Sequence, residues 1–350
     1  MVRKLILALI LISLSLVLFA SGAELNVSSL LTKVYNSSLV NSFTASAIPY
    51  YTFSNQQLKG ELRGEITLTN VSDINVITLT LKRADFRFRL PSFNNKKMTI
   101  TVGRSPISWG LGSYYRIGDV LLDGMSKNQK AGVTDDRNIY LISASQSLGG
   151  GFNMEVALSL PLPSTVTFNE YGSKIENSEK LAIGAKLKKS FDSKTIKSFV
   201  AFASYNEDKV TSLAAALDVA MYFDVTMGVE SKLRSSNDIR AAINMTKLYS
   251  IEGELSSMSL GLYLAGEADF YNKTYEACTA LSLTPNERIT LYIALLNKFS
   301  NTGYVSLTLT PSLNFTITES VKLEASAIYS YLNENNQNIF GGGISFKSMF

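Results

Sequence analysis

The sequence predicts an all-β fold, a transmembrane antiparallel barrel of about 16 strands (14–18), on three observations. Apolar and polar residues alternate with a period of two through almost everything after Asn41. The pattern persists for about 300 residues without a domain break, whereas soluble sandwich domains stop near ~100–150. Aromatic residues gather at segment ends, as in Tyr50-Tyr51, Tyr222-Phe223, Phe270-Tyr271 and Tyr329/Tyr331, where an interfacial girdle would lie.

The chain starts with Met1-Val2-Arg3-Lys4, an apolar run Leu5–Phe19 and small residues Ser21-Gly22-Ala23, which reads as an export signal over 1–23 cleaved after Ala23. Without Arg3 and Lys4, the 33 basic residues against 29 acidic become 31 against 29, a net charge of +2. Near-neutrality argues against nucleic acid as a partner. Residues 24–40 are ambiguous: Leu30, Leu31, Val34 and Tyr35 have helical spacing, and a short helix and a frayed first strand both fit.

The barrel is expected over 41–350. Leu58, Gly60, Leu62, Gly64, Ile66 and Leu68 share one parity, with Lys59, Glu61, Arg63, Glu65 and Thr67 between them. Between Val76 and Leu90 the phase changes: Ile77, Leu79 and Leu81 have one parity, Ala84, Phe86, Phe88 and Leu90 the other. A bulge near Lys82 would keep both sets on one face and turn Arg83, Asp85, Arg87 and Arg89 to the opposite side. Similar segments recur to the C-terminus, about seventeen in all. Single-chain barrels normally have an even number, so one segment is miscounted or residues 25–36 hide another strand.

Connections are of two kinds. Ser54–Gln56, Gly149–Gly151, Phe191–Lys194, Pro285-Asn286 and Thr318–Ser320 are tight turns, while Gly103–Arg137 and Pro161–Glu179 are long loops. The first long loop holds the only tryptophan, Trp109, with Tyr114, Tyr115, Arg116, Asp119 and Asp123, and glycines at 110, 112, 118 and 124 that permit sharp folding. A loop over 105–137 with this bulk is expected to fold into the lumen as a constriction, with a cap on the barrel surface as the alternative. Arg or Lys facing lipid costs about 2–4 kcal/mol at the midplane, so Arg63, Arg83, Asp85, Arg87, Arg89 and Arg104 are expected to line water. The loop carboxylates would then be the negative half opposite this arginine cluster.

Zero histidines excludes Ser-His-Asp triads and His-based hydrolases, and with one cysteine, Cys278, no zinc site or intrachain disulfide is expected. No phosphate-cradling or dinucleotide motif occurs; Gly341-Gly342-Gly343 lies in a predicted strand and suits close packing. No catalytic residue, metal or cofactor is expected, and the chain does not read as an enzyme.

Phe340, Gly342, Ile344 and Phe346 share parity with Phe350 at the end of the chain, with Ser348 where an apolar residue is common. This resembles the C-terminal strand of Gram-negative outer-membrane proteins, whose terminal aromatic residue is read by the barrel-assembly machinery. With the export signal and alternating strands, the chain is similar to bacterial outer-membrane porins. Gly103-Arg104 followed by Trp109-Gly110 also resembles a G-R-x4-W-G segment of some porin-like barrels. The resemblance implies residence in outer-membrane lipid, passive diffusion of small hydrophilic solutes, and often a homotrimer. The alternative expectation is a non-conducting barrel, structural or adhesive, that anchors the envelope or a surface layer. Asp135-Asp136 and Glu267/Asp269 read as water-facing wall charges.

Overall fold

The computed structural model describes residues 22–34, 40–55, 58–71, 74–91, 97–107, 109–122, 126–128, 130–131, 137–169, 172–176, 180–233, 237–252, 257–333 and 336–349. Residues 1–21 of the expected export signal, Asp123, Asp135, Asp136 and Phe350 lie outside the described residues, whereas Gly22 and Ala23 open the first strand opposite Tyr50 and Pro49.

In chain order the strands are β1 (Gly22–Val34), β2 (Val40–Ser54), β3 (Leu58–Val71), β4 (Ile74–Pro91) and β5 (Lys97–Ile107). Two-residue strands β6 (Tyr115–Arg116) and β7 (Ser126–Lys127) lie within the long loop. They are followed by β8 (Arg137–Gly149), β9 (Phe152–Ser159), β10 (Thr165–Asn169), β11 (Gly172–Glu176), β12 (Ala182–Ser190), β13 (Ile196–Asn206) and β14 (Thr211–Ala220). The set is completed by β15 (Asp224–Leu233), β16 (Asn237–Glu252), β17 (Ser257–Asp269), β18 (Thr274–Asn286), β19 (Ile289–Ser300), β20 (Gly303–Thr318), β21 (Val321–Leu332) and β22 (Gln337–Met349).

Each long strand pairs antiparallel with its sequence neighbour, and β1 pairs with β22, from Glu24↔Met349 to Val34↔Ile339. The result is a closed barrel of 18 strands, two more than the expected 16. The one strand absent from the seventeen segments counted in the sequence is β1. The helical spacing of Leu30, Leu31 and Val34 loses to closure, because β22 and β2 would otherwise each keep an edge of unpaired backbone groups. Among the described residues no helix is long and apolar enough to cross a membrane.

The wall has an apolar outside. Leu25, Val27, Phe86, Phe88, Leu90, Ile142, Phe199, Leu281, Ile293, Phe340, Ile344 and Phe346 are all exposed there, which places Phe346 of the terminal strand on the outer face. Tyr51 and Tyr222 crowd one rim, and Phe270 and Tyr271 the other. The phase change in β4 is a bulge at Lys82: Arg63 faces Arg83 and Gly64 faces Leu81, so Lys82 is skipped. One extra residue keeps Leu79 and Phe86 together outside and turns Asp85 inward.

The second long loop is more ordered than its composition suggested. Residues 165–176 form the β10–β11 hairpin outside the ring of 18, and Val166 pairs with Leu79 of β4. β5 pairs with β4 only from Pro91 to Ala84, so the hairpin occupies the vacated edge.

Candidate functional site: the barrel interior

The interior has two dissimilar halves. On β1–β5 it is a lattice of charge centred on Asp85, whose side chain is 1% exposed. Asp85 accepts from Arg83 Nε at 2.9 Å and Nη2 at 3.2 Å, from Arg87 Nε at 2.9 Å and from the Ser105 hydroxyl at 2.9 Å. Arg83 also reaches Glu61 at 2.7 Å, and Arg63 reaches Glu61 and Glu24, both at 3.2 Å. Glu24 holds Lys347 of β22 at 2.7 Å, and Lys82 holds Glu65 at 2.6 Å. Charge-assisted contacts of this kind fix side chains that would otherwise be mobile.

Arg63, Arg83 and Arg87 are therefore compensated within their own wall by Glu24, Glu61 and Asp85. Arg89 shares the inward parity of Arg87 and is exposed. Arg104 does not join this set. The register places it opposite Ala84 on β4 and Tyr140 on β8, the parity opposite to Asp85 and Ser105. It is buried on the outer side of β5 with its guanidinium 5.2 Å from the Tyr140 ring, whose hydroxyl donates to Pro163 O at 3.0 Å. The expectation that its charge needs the lumen is corrected: it is buried against the Tyr140 ring.

The described residues of the loop, 109–122, 126–128 and 130–131, lie inward along the other half. Its first limb packs on a track of small inward residues: Ala182 and Gly184 on β12, Ala214 and Ala216 on β14, Gly228 on β15, Ala242 on β16, Ala265 on β17 and Ala280 on β18. Trp109 is 1% exposed and sits 6.5 Å, centroid to centroid, from Phe202 of β13. A Cβ on Gly184 would lie 2.9 Å from the Trp109 ring and 3.0 Å from Leu121, and one on Gly228 would lie 3.0 Å from Ile117. Gly118 has φ +93°, and a Cβ there would meet the Phe202 ring at 2.3 Å. Glycine is required at that position by both conformation and space.

Polar clamps fix the backbone. Leu111 and Ile117 exchange hydrogen bonds of 2.9 and 2.8 Å, closing a small hairpin, and the Ser204 hydroxyl donates to Val120 O at 2.8 Å. Asn244 of β16 accepts from Tyr114 N at 3.0 Å and Tyr115 N at 2.9 Å, and donates to Tyr115 O at 2.9 Å. Three bonds from one buried side chain to one peptide run make Asn244 the main fastening.

Asp119 is fully buried. It accepts from Gly110 N at 2.7 Å and from Ser126 Oγ at 2.6 Å, with Arg116 Nε at 3.3 Å. It braces the loop internally and does not face Arg83 across a gap, which corrects its expected place in a negative half. Burial raises the hydroxyl pKa of Tyr114 and Tyr115 far above the ordinary tyrosine value, so both stay protonated.

The returning limb is held differently. Lys127 pairs with Glu276 of β18 and lies 3.8 Å from Glu267 of β17. Lys130 pairs with Glu324 of β21, and Ala131 N donates to the Tyr292 hydroxyl of β19 at 2.9 Å. The loop thus crosses from β5 to the far wall. Reading the sequence missed Asn244, Glu276, Lys127, Lys130, Tyr292 and the small-residue track. The track alone left a signal, in Ala and Gly recurring at polar-parity positions of successive strands.

Among solved structures, Wzi from Escherichia coli, described as a carbohydrate-binding β-barrel involved in group 1 capsule assembly, superposes with a TM-score of 0.58 at 10% identity, covering 94% of this chain and 85% of that one. OpdK, an outer membrane protein of Pseudomonas aeruginosa, gives 0.54 at 9% identity over 94% and 98%. OccAB4 of Acinetobacter baumannii gives 0.54 at 8% over 94% and 97%. This is the outer-membrane β-barrel fold. Comparison with protein-family models and with curated proteins finds no match.

Proposed function

We propose that the chain is an outer-membrane porin through which small hydrophilic solutes or ions diffuse passively, with loop 105–137 as its constriction. The observation that carries this reading is the inward course of the loop. It lies on a prepared track on β12–β18 and leaves the charged β1–β5 wall facing the interior. The apolar outer face with aromatic rims and the fold shared with OpdK support insertion into the outer membrane. Residues 1–23 act as the export signal, and Phe346 with Phe350 forms the assembly signal.

Because Arg63, Arg83 and Arg87 are compensated, any anion preference comes from Arg89 and from Lys97, Lys186 and Lys188, which line a cavity of about 360 Å³ with one carboxylate, Glu155. Purified protein added to a planar bilayer should give stepwise conductance. Silent bilayers with folded protein would sink the reading.

The second reading, a non-conducting anchor barrel, draws on the ion pairs Lys127–Glu276 and Lys130–Glu324 that strap the loop to the far wall. Liposome swelling in sugars of graded size separates the two, since an anchor barrel admits none.

A further inference from the structure

Between the returning limb of the loop and strands β16–β19 lies a cavity of about 400 Å³. Lys127, Arg240 and Lys298 line it together with Glu267, Asp269 and Glu276. Three cations and three anions make the lining neutral, so a singly charged ion meets as much repulsion as attraction.

Two groups in it are under-partnered. Arg240 turns its buried Nε toward Asp269 at 3.4 Å and Asp238 at 3.6 Å, and its two Nη groups donate no hydrogen bond among the described residues, which leaves them for a solute in the cavity. Asp269 is engaged elsewhere, accepting from Asn272 N at 2.9 Å and Nδ2 at 2.8 Å. Glu267 has Lys127 at 3.8 Å as its one ion-pair partner among the described residues, and Lys127 sits closer to Glu276. The register sets Arg240 opposite Asp269 and Ala242 opposite Glu267, so Arg240 and Glu267 are diagonal neighbours, roughly 7–8 Å apart along the wall. Leaving ionised groups half-solvated in a recess is costly, and a ligand that completes their hydrogen bonds recovers that cost.

From this we infer that the cavity binds small zwitterions of the α-amino acid class, with the solute carboxylate on Arg240 and its ammonium on Glu267. A propionate-like anion would satisfy Arg240 and confront Glu267; an alkylammonium would do the reverse. The site's role as a resting place for a permeating solute depends on the porin reading, whereas binding itself does not.

Ligand-observed NMR on the folded, detergent-solubilised barrel tests it with three matched probes: L-alanine, propionate and ethylammonium. L-alanine should bind at least about tenfold more tightly than either half-molecule, a difference of about 1.4 kcal/mol. Arg240→Gln and Glu267→Gln should each remove that preference, and Lys194→Gln, in the exposed β12–β13 turn and remote from the cavity, should keep it. Equal binding of the three probes to the unaltered protein, or no binding of L-alanine, overturns the site whatever the variants do. Preferential L-alanine binding by a barrel that never conducts would retire the porin reading and keep the site. Conductance without that preference would do the opposite.

Discussion

The two limbs of the inward loop are anchored by opposite means. Residues 107–121 bury Trp109, Tyr115, Ile117 and Val120 on small wall residues and are pinned by Asn244, so little of that limb depends on ionic conditions. Residues 126–131 touch the wall chiefly through Lys127, Lys130 and one backbone bond to Tyr292. Apolar packing is not screened by salt, whereas partly exposed ion pairs are. The first limb is therefore the fixed part of the loop and the second the adjustable part.

The largest expected effect comes from removing both limbs. Deleting Ser105–Lys130 should raise single-channel conductance in a planar bilayer; an unchanged value takes the loop out of the constriction role. Next is Asp85→Ala on the facing wall, which leaves Arg83 with Glu61 alone and takes from Arg87 its one carboxylate partner among the described residues. Breaking a buried pair from one side costs about 3–5 kcal/mol, and the urea midpoint in micelles should fall accordingly. Asn244→Ala leaves three backbone groups of the first limb without their partner. A loss of roughly 2–3 kcal/mol is expected. Trp109, the only tryptophan, gives the matching readout: its emission should shift to the red if that limb lifts off. Smallest is Lys127→Met, worth at most about 1 kcal/mol for a pair so exposed. It should change conductance in low salt and hardly at all in 1 M salt. Were it to cost as much as Asn244→Ala, the contrast between the limbs would be lost.

Much of the wall was legible because strand parity is local. The bulge at Lys82 followed from two apolar sets in opposite phase, and the inward course of the loop from aromatic weight joined to glycine. Arg104 was misjudged because parity gives a side and not a cover: nothing near it in sequence announces that Tyr140 lies over it. Asp119 was misjudged because a carboxylate in a loop looks the same whether it faces a pore or caps its own turn. Which strands a loop crosses is a long-range matter, so Glu276 and Glu324 could not be paired with Lys127 and Lys130 beforehand. The Ala and Gly positions on β12–β18 were readable and were passed over, since small residues on a polar face suggest nothing until something large must lie against them.

The β1–β22 seam has a consequence for the order of assembly. Residues 24–34 find their second partner only in 339–349, at the far end of the chain. Every other neighbour in the ring can zip up as it emerges, but this ladder waits for the last strand to be delivered. Contacts so remote in sequence make closure slow. Until it happens the growing sheet carries two raw edges, each able to recruit a stray strand from another molecule. Gly341 and Gly343 lie in that final seam, opposite Thr32 and Leu30. The strand that arrives last thus presents a slim backbone to the gap it must enter.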